Sequence, residues 1–196
     1  MSPGNPRVRL VGTEVLSDAW YVLRRTTFDL QRRDGSWSRE RREAYDRGNG
    51  ATILLYDPDR GTVLLTRQFR LPAYVNGHPD GMLLEAPAGL LDGEDAEAAI
   101  RREEETGVRV GEAQRLFELF MSPGSVTERV AFFAAPYRQE ARVGPGGGVA
   151  GEGEDIEVVE LRLGEALDAV RRGEIVDGKT VLLLQWAERN LPGAPA

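Results

Sequence analysis

Residues 86–108, APAGLLDGEDAEAAIRREEETGV, join a glycine-bearing loop to a predicted helix that ends in a run of glutamates. Glu103, Glu104 and Glu105 are expected to be ionised, as glutamate side chains are near neutral pH. Magnesium prefers oxygen ligands and is usually held by a few carboxylates together with water and substrate phosphates. Gly89 is expected to let the loop turn tightly and bring backbone carbonyls close to a metal or phosphate. The stretch therefore predicts a magnesium site suited to phosphate chemistry.

The order of residue types in this stretch resembles the signature of the Nudix hydrolases, which forms a loop, a helix and a second loop. The matching positions are Gly89, Glu94, Arg102, Glu103, Glu104, Glu105, Gly107 and Val108. The likeness extends from about residue 14 to residue 186. Within the family, the chain resembles the branch of GDP-mannose and ADP-ribose pyrophosphatases.

The spacing of the signature departs from the family at two places. The family has two residues between its Arg-Glu and Glu-Glu pairs, whereas Glu104 follows Glu103 directly; the loop after Gly89 is also one residue short. In a regular helix, at roughly 100° per residue, Glu103 and Glu105 lie about 200° apart and cannot bind one ion. Either the sequence lacks two residues that the protein contains, or the deletion is genuine and distorts the helix end. The fit of the flanking residues favours the first explanation.

The resemblance also implies roles for individual residues. The metal ligands it implies are Glu103, Glu104, Glu105, Glu154 and the backbone carbonyl of Ala88, with Mg²⁺ as the cofactor and Mn²⁺ as the alternative. The catalytic residues it implies are Arg102, Glu152 and Glu154. The substrate-binding residues that we predict are Arg47, Arg67, Glu85, Gly89, Ser122 and Gly124.

Two of these assignments have competing interpretations in the residues themselves. Arg67 follows an apolar run and is either a phosphate contact, which a guanidinium serves well, or a charged strand end. Glu152 and Glu154 lie at the end of the glycine-rich run 144–153, which is either a disordered surface loop or a mobile loop beside the site. The resemblance favours the second interpretation, with Glu154 as the better metal ligand and Glu152 as the better general base.

Composition and charge restrict the class of protein. The chain has 196 residues, enough for one domain with an appendage, and a net charge of -7, which argues against nucleic-acid binding. It contains no cysteine, which suits a reducing cytoplasm. No apolar run approaches the roughly 20 residues that cross a bilayer, so no membrane segment is expected.

Residues 1–47 are predicted to form a small antiparallel β-subdomain. Arg33, Asp34 and Gly35 are typical of a hairpin turn between two strands. A small sheet buries little by itself, so we expect it to pack on a partner. The resemblance implies that this segment joins two protomers in a homodimer and helps to recognise the substrate; a solvated sheet face is the alternative interpretation of its many arginines.

Residues 48–196 are predicted to form the Nudix domain, an α/β (α+β) fold in which helices sandwich a mixed sheet. Apolar runs predict strands, and two amphipathic segments near the end predict helices. The predicted strands are 51–56, 62–66, 83–85, 116–121, 130–135 and 156–161, and the predicted helices after them are 163–172 and 179–190. Tyr74, Asn76 and His78 are assigned to a turn-rich loop.

The function implied by the resemblance is Mg²⁺-dependent hydrolysis of the diphosphate bond of a nucleoside diphosphate sugar. GDP-mannose, giving GMP and mannose 1-phosphate, is the first candidate substrate. ADP-ribose, giving AMP and ribose 5-phosphate, is the alternative. Two other classes stay open: a catalytically inactive module that binds a nucleotide sugar, and a structural or interaction protein.

Overall fold

The computed structural model describes residues 4–91, 93, 95–100, 107–108, 110, 112–138 and 155–191. The backbone forms two compact units. The first unit comprises Met1–Asn49 and Phe120–Arg129, and the second comprises Gly50–Leu119 and Val130–Ala196. The first unit thus combines the N-terminal residues with a segment more than 70 positions further along the chain.

The first unit is built on a three-stranded antiparallel sheet in the order β1-β2-β3. Its strands are β1 Val8–Asp18, β2 Val22–Gln31 and β3 Trp37–Asp46. The turn between β2 and β3 depends on Asp34, whose carboxylate accepts hydrogen bonds from the Ser36 amide and hydroxyl, and on Gly35 at φ +86°. The predicted hairpin is confirmed.

The second unit is built on a seven-stranded mixed sheet within the described residues. Its strands are β4 Gly50–Asp57, β5 Thr62–Phe69, β6 Met82–Glu85, β7 Ala88–Leu90, β8 Gln114–Phe120, β9 Arg129–Pro136 and β10 Glu157–Arg162. The strand order is β10-β5-β4-β9-β8, with β6 paired to β5 and β7 paired to β4. The β4–β9 pair is parallel, and the pairs of β5 with β4, β6 and β10 are antiparallel.

The two central strands diverge and form a fork. β4 and β5 pair directly only at the end where they are joined, from Leu55↔Leu64 to Asp57↔Thr62. Beyond that point β5 pairs with β6 through Thr66↔Glu85, and β4 pairs with β7 through Thr52↔Ala88. The chain that connects β6 to β7 therefore lies inside the fork.

Helices lie on both faces of the larger sheet. The helices are α1 Leu71–Val75, α2 Ala96–Ile100, α3 Leu163–Arg171 and α4 Gly178–Asn190. On one face Ile53, Leu55 and Phe133 pack with Ile100 of α2 in a buried cluster. Alternation along β4 turns the fully buried Leu54 to the other face, where α4 contacts this strand and buries its own leucines. The predicted sandwich around a mixed sheet is confirmed.

One local prediction is wrong. Tyr74 belongs to α1 rather than to a loop, because Pro72 stands in the first turn of a five-residue helix, where its missing N–H costs nothing. Asn76 is the C-cap of this helix, and His78 follows it.

Candidate functional site

The segment that leads from β6 into β7 is held by buried side chains from β4, β5 and α4. The Glu85 carbonyl accepts a hydrogen bond from the Thr66 hydroxyl at 3.3 Å. The Ala86 amide donates to the Thr180 hydroxyl oxygen at 2.6 Å, and the Pro87 carbonyl accepts from the Thr52 hydroxyl at 3.0 Å. The backbone just before Ala88 is therefore fixed at three successive residues.

Glu85 is a buried acid whose charge is compensated by Arg70. Its side chain is 3% exposed, and both carboxylate oxygens accept hydrogen bonds from the Arg70 guanidinium at 2.8–3.2 Å. Such a charge-assisted, two-oxygen pair orients both groups. The role of Glu85 as a substrate contact stays a prediction, since this geometry shows a partner within the chain.

Ala88 and Gly89 belong to the short strand β7, and this corrects one sequence-based expectation. Gly89 pairs with Ala51 in extended backbone and is absent from the glycines with positive φ. The idea that it makes a tight turn is therefore wrong. The turn that needs a glycine comes later, at Gly93 with φ +85°. A Cβ at Gly89 would meet nothing within 4 Å, so the surface around it is open.

Arg67 lies on β5, one position beyond Thr66, with its side chain about half exposed. Its guanidinium approaches the Asp80 carboxylate at 3.6 Å. The hydrogen bond from the Met82 amide is the main cause that lowers the pKa of Asp80. Together with the nearby His78 and Arg67 it outweighs the opposing effect of burial, so the pKa stays below its usual value. Asp80 therefore stays ionised and gives Arg67 a weak, solvent-screened partner that an anionic ligand can replace.

The other predicted substrate residues belong to the first unit. The Arg47 guanidinium contacts the Glu128 carboxylate at 3.4 Å and lies 5.6 Å from the centre of the Tyr21 ring. The Ser122 carbonyl accepts hydrogen bonds from the amides of Ser125 and Val126, which closes the turn that contains Gly124.

The same turn is fastened to the end of β3. The Tyr45 amide donates to the Ser125 carbonyl at 2.8 Å, and the Thr127 amide donates back to the Tyr45 carbonyl at 3.1 Å. Hydrogen bonds from the Gly48 amide, the Thr127 hydroxyl and Arg24 hold the pKa of Asp46 below its usual value. Two parts of the chain that are distant in sequence therefore form one surface within the first unit.

Several predicted site residues lie outside the described residues. They are Arg102, Glu103, Glu104, Glu105, Glu152 and Glu154. Within the described part of the chain, no three histidine or acidic side chains are grouped closely enough to hold a metal ion. The predicted ligands are all carboxylates or a backbone carbonyl, the oxygen donors that Mg²⁺ prefers, so the donor set fits this cation.

A buried polar network at the start of α4 was not foreseen from the sequence. Asp177 caps the helix by accepting a hydrogen bond from the Thr180 amide at 3.0 Å, and it pairs with Lys179 at 2.6 Å. Burial opposes ionisation of Asp177, but the Lys179 charge and the Lys179 and Thr180 hydrogen bonds outweigh it and lower the pKa. The sequence Asp177-Gly178-Lys179-Thr180 contains a pattern typical of such a cap, namely an aspartate three positions before a threonine at the start of a helix.

Two family models match the chain in succession. The model described as the GDP-mannose pyrophosphatase NudK N-terminal domain matches residues 7–45, and the NUDIX domain model matches residues 46–179. The protein belongs to the Nudix hydrolase family. Enzymes of this family generally use divalent metal ions.

The chain is also similar to several proteins named GDP-mannose pyrophosphatase. One from Salmonella arizonae is 55% identical over 91% of this chain and 94% of its own length. Those from Citrobacter koseri and Pectobacterium atrosepticum are 54% and 55% identical, each over 92% of this chain and at least 93% of their own lengths. Among the described residues, no helix combines the length and the apolar character needed to span a membrane.

Proposed function

We propose that this protein hydrolyses the diphosphate bond of GDP-mannose in the presence of Mg²⁺, giving GMP and mannose 1-phosphate. The observation that carries the proposal is the 54–55% identity to proteins named GDP-mannose pyrophosphatase over more than nine-tenths of the chain. The match of residues 7–45 to an N-terminal domain described for such an enzyme supports the same substrate.

In the proposed reaction, water attacks one phosphorus atom, the bond from that phosphorus to the bridging oxygen breaks, and two phosphate monoesters leave. Glu152 takes the proton from the attacking water. Arg67 exchanges its weak partner Asp80 for a phosphate oxygen, and Arg47, Ser122 and Gly124 bind other parts of the substrate.

The metal would be held by Glu103, Glu104, Glu105, Glu154 and the carbonyl of Ala88. When bound, Mg²⁺ neutralises charge on the diphosphate and stabilises the charge that develops as the P–O bond breaks. Mn²⁺ is the alternative metal. Arg102 assists the same step through its charge.

Turnover is tested by incubating GDP-mannose and ADP-ribose in parallel with Mg²⁺ or EDTA, then releasing phosphate from the products with a phosphatase that leaves the diphosphates intact. We expect hydrolysis with Mg²⁺, none with EDTA, and preference for GDP-mannose. The intact mass of the same protein tells whether two further helix residues are present. Preference for ADP-ribose would assign the alternative substrate.

Single substitutions test the carboxylate run. Glu104→Gln and Glu105→Gln should each lower turnover at least about 10-fold, the lower limit for disturbing a metal site. Glu112→Gln removes an exposed glutamate just beyond the run and should leave turnover unchanged. Equal activity in all three variants would contradict the assigned ligands.

A second function rests on the contiguous run of Arg102 to Glu105. If the deletion in the signature is genuine, a regular helix places Glu103 and Glu105 on opposite sides, and the protein binds GDP-mannose without hydrolysing it. Titration calorimetry with GDP-mannose would then show binding, the turnover assay would show no product, and the measured mass would equal that of the sequence.

We also propose a cytoplasmic homodimer joined through the N-terminal sheet. The three-stranded sheet exposes large apolar side chains, among them Leu10 at 69% and Val15 at 58%. Exposed apolar groups of this size on a small sheet are typical of an interface. The absence of cysteine from the sequence supports a reducing compartment.

A further inference from the structure

We propose that Thr52, Thr66 and Thr180 are positioning residues for the reaction, because together they hold the backbone that presents the Ala88 carbonyl. We call these three side chains the threonine clamp. The inference rests on the proposed function, since it assumes that the Ala88 carbonyl takes part in metal binding.

The threonine clamp contacts three consecutive residues. Thr66 binds the Glu85 carbonyl, Thr180 binds the Ala86 amide, and Thr52 binds the Pro87 carbonyl. The Pro87 carbonyl also accepts a hydrogen bond from the Ile53 amide at 3.0 Å. Ala88 comes next in the chain, so the clamp ends immediately before it.

The three threonines come from separate elements and are all completely buried. Thr52 lies on β4, Thr66 on β5 and Thr180 on α4, each with 0% exposure. A buried hydroxyl without a hydrogen bond is costly, so each threonine side chain is restricted to the orientation in which its hydroxyl forms the hydrogen bond to the backbone. The clamp therefore ties both arms of the fork and one helix to the same short segment.

The fork explains why side chains are needed at this place. Where β4 and β5 diverge, the segment between β6 and β7 leaves the regular ladder, and its backbone groups need other partners. Thr180 is itself held, because its hydroxyl donates to the Asp177 carboxylate at 2.7 Å. The position of the Ala86 amide thus depends on the α4 cap.

The substitution Thr180→Val tests the clamp, because it replaces the hydroxyl by a methyl group of similar size. Thr180→Ser restores the hydroxyl and should restore function. The matched control is Thr62→Val. Thr62 is the first residue of β5 and lies far from the segment between β6 and β7. It is 8% exposed, and its hydroxyl donates a hydrogen bond to Glu160 at 2.7 Å. Each valine variant removes one buried hydroxyl from the second unit, one on helix α4 and the other on strand β5.

Two measurements are needed. In hydrolysis of GDP-mannose, Thr180→Val should lower kcat about 10- to 100-fold, as expected when a group that positions a metal ligand is lost. The half-saturating Mg²⁺ concentration should rise, while the KM for the substrate should change little. Hydrogen–deuterium exchange of the peptide 83–90 should speed up in Thr180→Val. Thr180→Ser and Thr62→Val should resemble the unaltered protein in both.

The exchange measurement is independent of turnover. If the unaltered protein hydrolyses no nucleotide sugar, the proposed function fails, while faster exchange in Thr180→Val alone still supports the clamp. Unchanged exchange in Thr180→Val, or an equal change in Thr62→Val, would overturn the clamp whatever the activity. If Thr180→Val does not fold, Thr52→Val and Thr66→Val provide the same comparison.

Discussion

Two glycines near the candidate site differ sharply in what the fold demands of them. Gly81 has φ +69°, and a Cβ there would lie 2.6 Å from the Phe69 ring and 2.8 Å from Tyr74 Cβ. Its amide donates to His78 and its carbonyl accepts from the Arg70 amide, so it cannot easily shift. Gly89, for which the sequence predicts a tight turn, does not have a positive φ, and a Cβ there would meet no atom within 4 Å.

Replacing these glycines by alanine should separate a structural role from a role in binding. Gly81→Ala should lower the free energy of unfolding by about 1–3 kcal/mol, because it combines left-handed backbone with crowding. Gly89→Ala should change it by less than about 0.5 kcal/mol. Thermal unfolding without ligand measures both; equal melting temperatures would contradict the prediction. Lost activity in a stable Gly89→Ala variant would indicate close approach of substrate.

Among the elements, α4 depends most clearly on one ionised side chain at its start. The lowered pKa of Asp177 means that the folded state prefers the carboxylate more than the unfolded chain does. This preference stabilises the protein above the ordinary aspartate pKa of about 3.9, and the stabilisation is lost as the pH falls below it. The decrease in the free energy of unfolding at acid pH should therefore include the loss of the ionised Asp177 cap.

We expect Asp177→Asn to destabilise the protein at pH 7 and to differ less from the unaltered protein as the pH falls below about 4. Asp177→Ala should cost about 1 kcal/mol more, because it also removes the cap. Asp168→Asn is the control, since its side chain is 57% exposed and exposed ion pairs contribute little. Urea unfolding across this pH range is the measurement. A constant difference between Asp177→Asn and the unaltered protein would refute the assignment.

At the scale of the whole molecule, the two units differ in how they bury apolar side chains. The second unit has helices on both faces of its sheet and a core of fully buried residues such as Leu54 and Phe132. The strands of the first unit are exposed or half-buried along their whole length. A three-stranded sheet with so little burial needs further contacts to be stable, which is the physical basis of the proposed dimer.

The proposed dimer predicts twice the mass of the chain in light scattering. Leu10→Glu should convert it to the single-chain mass, because a charge buried at an interface without a partner is costly. Leu71→Glu makes the same change at a leucine of similar exposure, 59% against 69%, in the second unit and should leave the mass unchanged. A single-chain mass for the unaltered protein, or dissociation by both variants, would argue against this interface.

The sequence by itself determined the strands of the larger sheet apart from β7, the hairpin at Asp34-Gly35 and the two C-terminal helices. These depend on local patterns, namely apolar alternation, turn residues and caps, which neighbouring positions carry. It also determined the family, because the order of glycine, arginine and glutamate residues in 86–108 is specific even though its spacing departs from the family.

Only the tertiary structure decided which groups hold the loop before Ala88. Ala86 and Thr180 are 94 positions apart, and no local pattern connects them. Glu85 becomes a buried partner of Arg70, and Gly89 becomes part of a strand, because β4 and β5 diverge and the chain between β6 and β7 fills the fork. A hydrogen bond across such a distance depends on how strands and helices pack, and packing is a property of the whole domain.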